Sequence, residues 1–228
     1  MKFGVLQFPG SCDEVDALNA ARKVADAELL WHGDRDLKGA DAIVVPGGFS
    51  YGDYLRAGAI ARFAPAMESV IEFAEDGGLV LGICNGFQIL TEARLLPGTL
   101  RPNASLSFVC RDVVVRVGHG DSPFTARCAA GQELRIPVKH GEGCWYADAA
   151  VVSELEASGQ LLLRYAPGQN PNGAVADVAG VSNEAGNVFG LMPHPEHAVD
   201  SLLGSTDGGL ILGSLVDAAR SATAALVS

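Results

Sequence analysis

The run Leu79-Val-Leu-Gly-Ile-Cys84-Asn-Gly86 places a thiol between two glycines at the end of an apolar stretch. A sulfur nucleophile held where a strand turns sharply into a helix needs small residues two before and two after it, because the backbones pass close together there. Gly82 and Gly86 occupy those positions. A helix opening at Asn85 would direct its free N–H groups and the positive end of its dipole at the sulfur, favouring thiolate and stabilising an oxyanion. On these residues alone, Cys84 also fits a buried structural thiol.

A cysteine nucleophile needs a base, and the base needs an orienting group. The late stretch Met192-Pro-His194-Pro-Glu196-His197 offers the pair. Pro195 drives His194 out of the helical region into extended backbone. Residues two apart in extended chain face one side, so Glu196 can hold the imidazole and favour its charged form. His197 and His32 read as surface-turn histidines, and His119 and the cysteines at 12, 110, 128 and 144 as small buried side chains.

A third piece is Pro46-Gly47-Gly48-Phe49-Ser50-Tyr51-Gly52-Asp53 after an apolar run. Such a Gly-Gly pair exposes backbone N–H groups at the carboxyl end of a strand, where open α/β sheets bind ligands. It suits an oxyanion hole formed with Gly48 and Asn85. A phosphate loop or a plain turn are rival readings, but the glycine fingerprints of nucleotide loops are missing.

The elements that must carry these pieces form an α/β pattern. Strands are expected at Phe3 to Phe8, Leu29 to Trp31, Asp41 to Val45 and Leu79 to Ile83, with helices over Asp13 to Ala25, Ala57 to Glu75 and Asn85 to Leu95. The second half has strand-like runs at Val113 to Val117, Leu134 to Val138, Leu161 to Tyr165 and Val188 to Leu191, a turn at Pro171-Asn172-Gly173, and a closing amphipathic helix from Gly208 to Val227. The expected fold is flavodoxin-like: an open, mostly parallel sheet with helices on both faces and small antiparallel additions in the second half. With 228 residues, one domain spanning the chain is expected.

Bulk properties narrow the class of function. The formal charge of −11, with no basic cluster, argues against nucleic acid and anionic membranes. Five dispersed cysteines, with no zinc-type spacing, predict a reducing compartment and no metal. Neither a signal-peptide h-region nor a run of ~20 apolar residues occurs, so a cytoplasmic location is expected.

In order and spacing, the Pro-Gly-Gly turn, the Gly-Ile-Cys-Asn-Gly-Phe-Gln elbow and the late His-x-Glu resemble a class I, triad-type glutamine amidotransferase domain over nearly the whole chain. PGGFSYGDYLRAGAIA (46–61), LRPNASLSFVCR (100–111), PVKHGEG (137–143), NPNGA (170–174) and GLMPHPEHA (190–198) look like the glutaminase subunits of phosphoribosylformylglycinamidine synthases. That resemblance implies glutamine hydrolysis by Cys84, His194 and Glu196, with Gly47, Gln88, Asn103, Ser107 and Phe108 at the substrate. It also implies ammonia transfer to a synthetase subunit that uses ATP and Mg2+, a small accessory subunit, and no cofactor in this chain. Tyr51, Asp53, Tyr54, Arg56, His140 and Glu142 are the candidates for the partner face. Lys139 departs from the pattern, since relatives often have a small residue there. A stand-alone hydrolase such as a γ-glutamyl peptidase, or a non-catalytic relative, are the competing readings. The long FSYGDYLRAG loop argues against the first and the retained triad against the second.

Overall fold

β1 (Lys2–Gln7), β2 (Asp26–Trp31), β3 (Ala42–Val45) and β4 (Leu79–Ile83) are short apolar runs, and every residue of β3 and β4 is buried, as in central parallel strands covered on both faces. The helices between them are α1 (Glu14–Arg22) and α2 (Pro65–Glu75), and α3 (Asn85–Glu92) follows β4. The chain continues through β5 (Thr99–Arg101), β6 (Val109–Val117), β7 (Glu133–His140), β8 (Cys144–Tyr146), α4 (Ala149–Ala157), β9 (Leu163–Tyr165), β10 (Val178–Ser182), β11 (Val188–Leu191) and α5 (Gly208–Val227). This computed structural model describes residues 1–227, with side chains to residue 222.

Nine strands form one sheet in the order β2-β1-β3-β4-β11-β10-β9-β6-β7. The five from β2 to β11 pair in parallel, the flavodoxin-like arrangement. The remaining four join antiparallel. This extension is larger than the small additions expected, with β6 alone running nine residues. β5 and β8 form a separate antiparallel pair. In α5, Ile211, Leu212, Leu215 and Val216 are buried at helical spacing.

Several boundaries differ from the sequence reading for local reasons. The helix expected over residues 57–75 is only Pro65–Glu75. Ala64, before a proline, sits in extended backbone (φ −66°, ψ 143°), and Pro65 lacks an N–H, so a helix can begin there but not run through it. Residues 57–63 instead make tight turns, in which Gly58 (φ +79°) passes so close to the Ile89 backbone that a Cβ would lie 2.7 Å from its nitrogen. α3 stops at Glu92 rather than Leu95 because Arg94 adopts a left-handed φ of 63°. α4, β5, β8 and β10 carry weaker sequence patterns and were not anticipated.

Candidate active site

Cys84 joins β4 to α3 at φ 50°, ψ −103°, a sparsely populated conformation for a residue with a side chain. The flanking glycines make this turn possible. A Cβ on Gly86 would lie 1.8 Å from the Val45 carbonyl oxygen, and one on Gly82 would lie 2.5 Å from Leu90 Cδ1 and 2.9 Å from the Gly86 carbonyl carbon. The Cys84 N–H donates to the Leu191 carbonyl at 2.8 Å, tying the elbow to the end of β11, three residues before His194.

His194 is extended (φ −105°, ψ 88°), as its position before Pro195 demands, and its N–H donates to the Pro137 carbonyl on β7. The ring is fully buried, and Nδ1 lies 2.6 Å from Glu196 Oε1. Glu196 belongs to a 3₁₀ turn, Pro195–His197, so the turn brings the carboxylate to the ring, not strand alternation as expected. Burial opposes charge on the imidazole, but the Glu196 carboxylate and the Cys84 sulfur outweigh it and raise the His194 pKa to about 10. With Nδ1–H given to Glu196, Nε2 has no partner at full hydrogen-bonding geometry among the described residues, while the Cys84 sulfur is near enough for its charge and a hydrogen bond to it to raise the ring's pKa. Catalytic contacts are often long before substrate binds.

A second carboxylate stands behind the histidine. Asp13 Oδ2 is 3.8 Å from His194 Nδ1, and Asp13 Oδ1 is 3.2 Å from His197 Nε2 and accepts from the Lys139 ammonium. Burial would raise the Asp13 pKa, yet His197, His194 and Lys139 together hold it well below the usual carboxylate range. Burial likewise works against the Lys139 charge, and Asp13 overrides it to raise that pKa. Asp13, His194, Glu196 and His197 bring ligand-type atoms within 4.8 Å of one another, the composition of a metal site. Here Lys139 supplies a cation to that group.

In front of Cys84 lies a cleft of about 210 Å³, sized for one amino acid and lined by Gly48, Phe49, Asp53, Gln88, Phe108, Lys139 and residues 140–142. Gly48 (φ +138°) has no room for a side chain, since a Cβ would lie 2.5 Å from the Cys12 nitrogen. Its N–H has no acceptor among the described residues, while Phe49 N–H is engaged by the Gly10 carbonyl. The first-turn N–H groups of α3 also lack intrahelical acceptors. A buried amide chain braces one wall. Asn85 Oδ1 accepts from Ser50 N–H at 3.1 Å, and Asn85 Nδ2 donates to Gln88 Oε1 at 2.9 Å and toward Asp53 Oδ1 at 3.4 Å. Gln88 Nε2 in turn donates to the Glu142 carbonyl. A buried thiol, an imidazole biased toward charge and free backbone donors around one cleft can carry out attack on an amide carbonyl and protonation of its leaving group.

Residues 1–207 match the family model described as the CobB/CobQ-like glutamine amidotransferase domain. The chain belongs to that glutamine amidotransferase family. It is 56% identical to the phosphoribosylformylglycinamidine synthase subunit PurQ of Salinibacter ruber, over 95% of this chain and 96% of that protein. It is also 56% identical to the Rubrobacter xylanophilus protein of the same name, over 96% and 100%. Among solved structures, a chain of PurLQS from Thermotoga maritima superimposes with a TM-score of 0.87 at 40% identity, covering 95% of this chain and 97% of that one. No described helix is long and apolar enough to cross a membrane.

The other residues singled out in this amidotransferase divide clearly. Gly47 is not a cleft residue: a Cβ there would lie 2.5 Å from Asp13 Oδ2 and 2.7 Å from His194 Cε1, so its role is to leave space for that pair. Asn103 is fully buried away from the cleft, donating to the Ser107 and His140 carbonyls and accepting from Gly143 N–H and His140 Nδ1. Ser107 is exposed and bonds Ser105. Phe108 does reach the cleft mouth, 6.5 Å from the Phe49 ring.

His140 is 3% exposed, which rules it out as a docking side chain. Its ring sits between Asn103 Oδ1 (3.1 Å) and Asn172 Nδ2 (3.4 Å), and burial together with the charge on His194 lowers its pKa to about 4. Tyr51 is half-buried with its hydroxyl 2.7 Å from His32 Nδ1, so neither residue is an idle surface group. Arg56 is clamped on Glu92, and Tyr54 is 75% exposed. Cys12 and Cys110 are exposed, against expectation, while Cys128 and Cys144 are buried. His119 is half-buried on the Gly159 carbonyl, and His197 belongs to the Asp13 cluster, not a surface turn. Asp13, Lys139 and His197 form a cluster against His194 that the sequence reading missed, and Asn172 is bonded to His140 and Tyr165 in the interior. The one available signal was Lys139's departure from the family pattern.

Proposed function

We propose that the chain is the glutaminase subunit of a phosphoribosylformylglycinamidine synthase, working as one domain over residues 1–228 in the cytoplasm. It hydrolyses L-glutamine to glutamate and ammonia and delivers the ammonia to a partner synthetase that makes formylglycinamidine ribonucleotide in purine biosynthesis. The observation that carries the reading is the buried His194–Glu196 pair at 2.6 Å, with Nε2 lacking a partner at full hydrogen-bonding geometry and the Cys84 sulfur close to the ring. The PurQ relatives supply the acceptor reaction.

In this reading the Cys84 thiolate attacks the amide carbon, and the oxyanion is received by the Gly48 N–H and by the Asn85 N–H at the start of α3. Imidazolium His194 protonates the departing amine through Nε2, leaving a thioester and ammonia. The neutral ring then takes a proton from water as it attacks the thioester, and collapse of the second tetrahedral species releases glutamate and the thiolate. Glu196 holds Nδ1–H throughout, and Gln88 lines the substrate's path. The acid–base partner and the oxyanion donors each account for rate factors on the order of 10² to 10³. ATP and Mg2+ belong to the synthetase, and a small accessory subunit completes the assembly. This chain's docking face includes Tyr54, Leu55, Leu106, Phe49 and Phe108, large apolar side chains left 48–91% exposed, of which Phe49 and Phe108 line the cleft, with Arg56 next to Leu55 in the chain.

The test is glutamine-dependent conversion of formylglycinamide ribonucleotide by the chain assembled with its synthetase. Activity that rises strongly on assembly supports the reading. Fast hydrolysis of γ-glutamyl peptides by the free chain, with no gain from a synthetase, overturns it.

A further inference from the structure

Asp13 caps the N-terminus of α1, where an aspartate side chain ordinarily accepts from the free N–H groups of the first turn. Its side chain makes no such bond. The buried carboxylate turns instead toward the imidazole of His194: Oδ2 lies 3.8 Å from Nδ1, while Oδ1 accepts from His197 Nε2 at 3.2 Å and from the Lys139 ammonium. Gly47 keeps this approach open, since a Cβ there would strike both Asp13 Oδ2 and His194 Cε1.

Two carboxylates therefore address one ring nitrogen. Glu196 Oε1 holds Nδ1 at 2.6 Å, and Asp13 Oδ2 stands second. A negative charge that close to a buried ring favours the imidazolium and, uncompensated, competes for the proton that Glu196 holds. The compensating charge is Lys139, which reaches Asp13 from β7 while its own carbonyl lies 3.7 Å from Cys84 Sγ. Burial opposes charge on both Asp13 and Lys139, yet their neighbours keep both ionised. The ionisable groups that face the His194 ring are Glu196 and His197 from its own turn, Asp13 from the start of α1, Cys84 from the elbow and, from β7, His140, with Lys139 beside Asp13. Other charged groups on the packed elements turn elsewhere: Glu14 to Gln7, Arg135 to Asp112 and Asp217 to Arg127.

We propose that Lys139 is a positioning residue: its ammonium binds Asp13 so that the Nδ1 proton of His194 stays on Glu196 and the ring remains able to release its Nε2 proton. This rests on the glutaminase reading. Without the ammonium, both carboxylates act on Nδ1 and the ring holds its protons more tightly. Protonation of the leaving amine and the base step at the thioester both slow.

The assembled complex with Lys139→Met, alone and combined with Asp13→Asn, separates this role from others. Lys139→Met should lower kcat about 10-fold with KM for glutamine unchanged, and should move the rising limb of the kcat–pH profile, which reports the neutral ring in the thioester intermediate, up by about one pH unit. Adding Asp13→Asn should return rate and profile to within a few-fold of wild type, because the two charges are then removed together. Lys139→Gln, which keeps a donor for Asp13 without the charge, should shift the profile in the same direction if Lys139→Met does not fold, and Lys139→Arg should leave it in place. Failure of Asp13→Asn to restore the profile, or a rise in KM in place of the fall in kcat, overturns the proposal. In the free chain carrying Cys84→Ala, ring-nitrogen NMR reads the protonation of His194 without turnover. A His194 titration moved to higher pH by Lys139→Gln and restored by Asp13→Asn supports the role even if the complex proves unable to use glutamine for synthesis. A titration that Lys139→Gln leaves unmoved overturns it even if glutamine hydrolysis is fast.

Discussion

Two buried histidines, one from each half of the sheet, are held in opposite charge states. His194, at the end of the parallel half, has a carboxylate at 2.6 Å and a pKa raised to about 10. His140, at the end of antiparallel β7, lies between two asparagine side chains and has a pKa lowered to about 4. Burial disfavours charge on both rings, so the partner decides the outcome: a carboxylate stabilises the imidazolium, whereas neutral amides can only orient a neutral ring. In the proposed mechanism the parallel half therefore holds the group that moves protons, and the antiparallel half holds a neutral ring bonded within a wall.

The largest expected effect removes the nucleophile on which the charged histidine acts. Cys84→Ser should lower glutamine-dependent synthesis by ~10⁴-fold or more while synthesis from added ammonium continues. Full glutamine-dependent activity in that variant would end the assignment. His194→Gln should cost ~10² to 10⁴ in kcat, whereas His140→Gln should cost less than ~10-fold, because its ring transfers no proton. Equal losses from the two substitutions would erase the distinction between the two sites.

The pH dependence of stability sharpens the same contrast, with opposite signs. For His140, the folded pKa lies below the ordinary 6.5, so the unfolded chain binds more protons between those values and stability falls as pH drops from 6.5 to about 4. The full loss is on the order of 3 kcal/mol. Urea unfolding measured across that range should show this acid step in the wild type and a flatter profile in His140→Gln. For His194 the folded pKa is raised, so its contribution is fully present below 6.5 and disappears as pH rises through about 10. The smallest effect is expected from Asp13→Asn, a few-fold in kcat, because Lys139 already offsets that charge at the ring. A loss as large as that of Glu196→Gln, measured in the same assay, would make Asp13 an equal partner of the imidazole.

Much of the parallel half was legible because its causes are local. Gly82 and Gly86 announce a close backbone crossing, Pro195 fixes the conformation of His194, and uninterrupted apolar runs mark β3 and β4. The cluster behind His194 was not legible, since Asp13, Lys139 and His197 come from three distant segments and each looks ordinary alone. The motif residues Asn103, His140 and Asn172 were recognisable as members of a pattern, but the pattern did not say that they bond one another within the interior. The turns over residues 50–63 were read in part as helix. Their left-handed residues Tyr51, Asp53 and Leu55 are stabilised by tertiary contacts such as Asn85 to Ser50, which no local propensity encodes.

The elbow's hydrogen bond from Cys84 to Leu191 joins neighbours in the sheet that lie more than a hundred residues apart in the chain. During synthesis the cysteine strand leaves the ribosome first, and the strand that completes its environment follows on the order of ten seconds later. Until then the thiol has neither its base nor its wall. By the proposed mechanism a partly made chain cannot release ammonia, and the onset of activity should coincide with closure of the sheet.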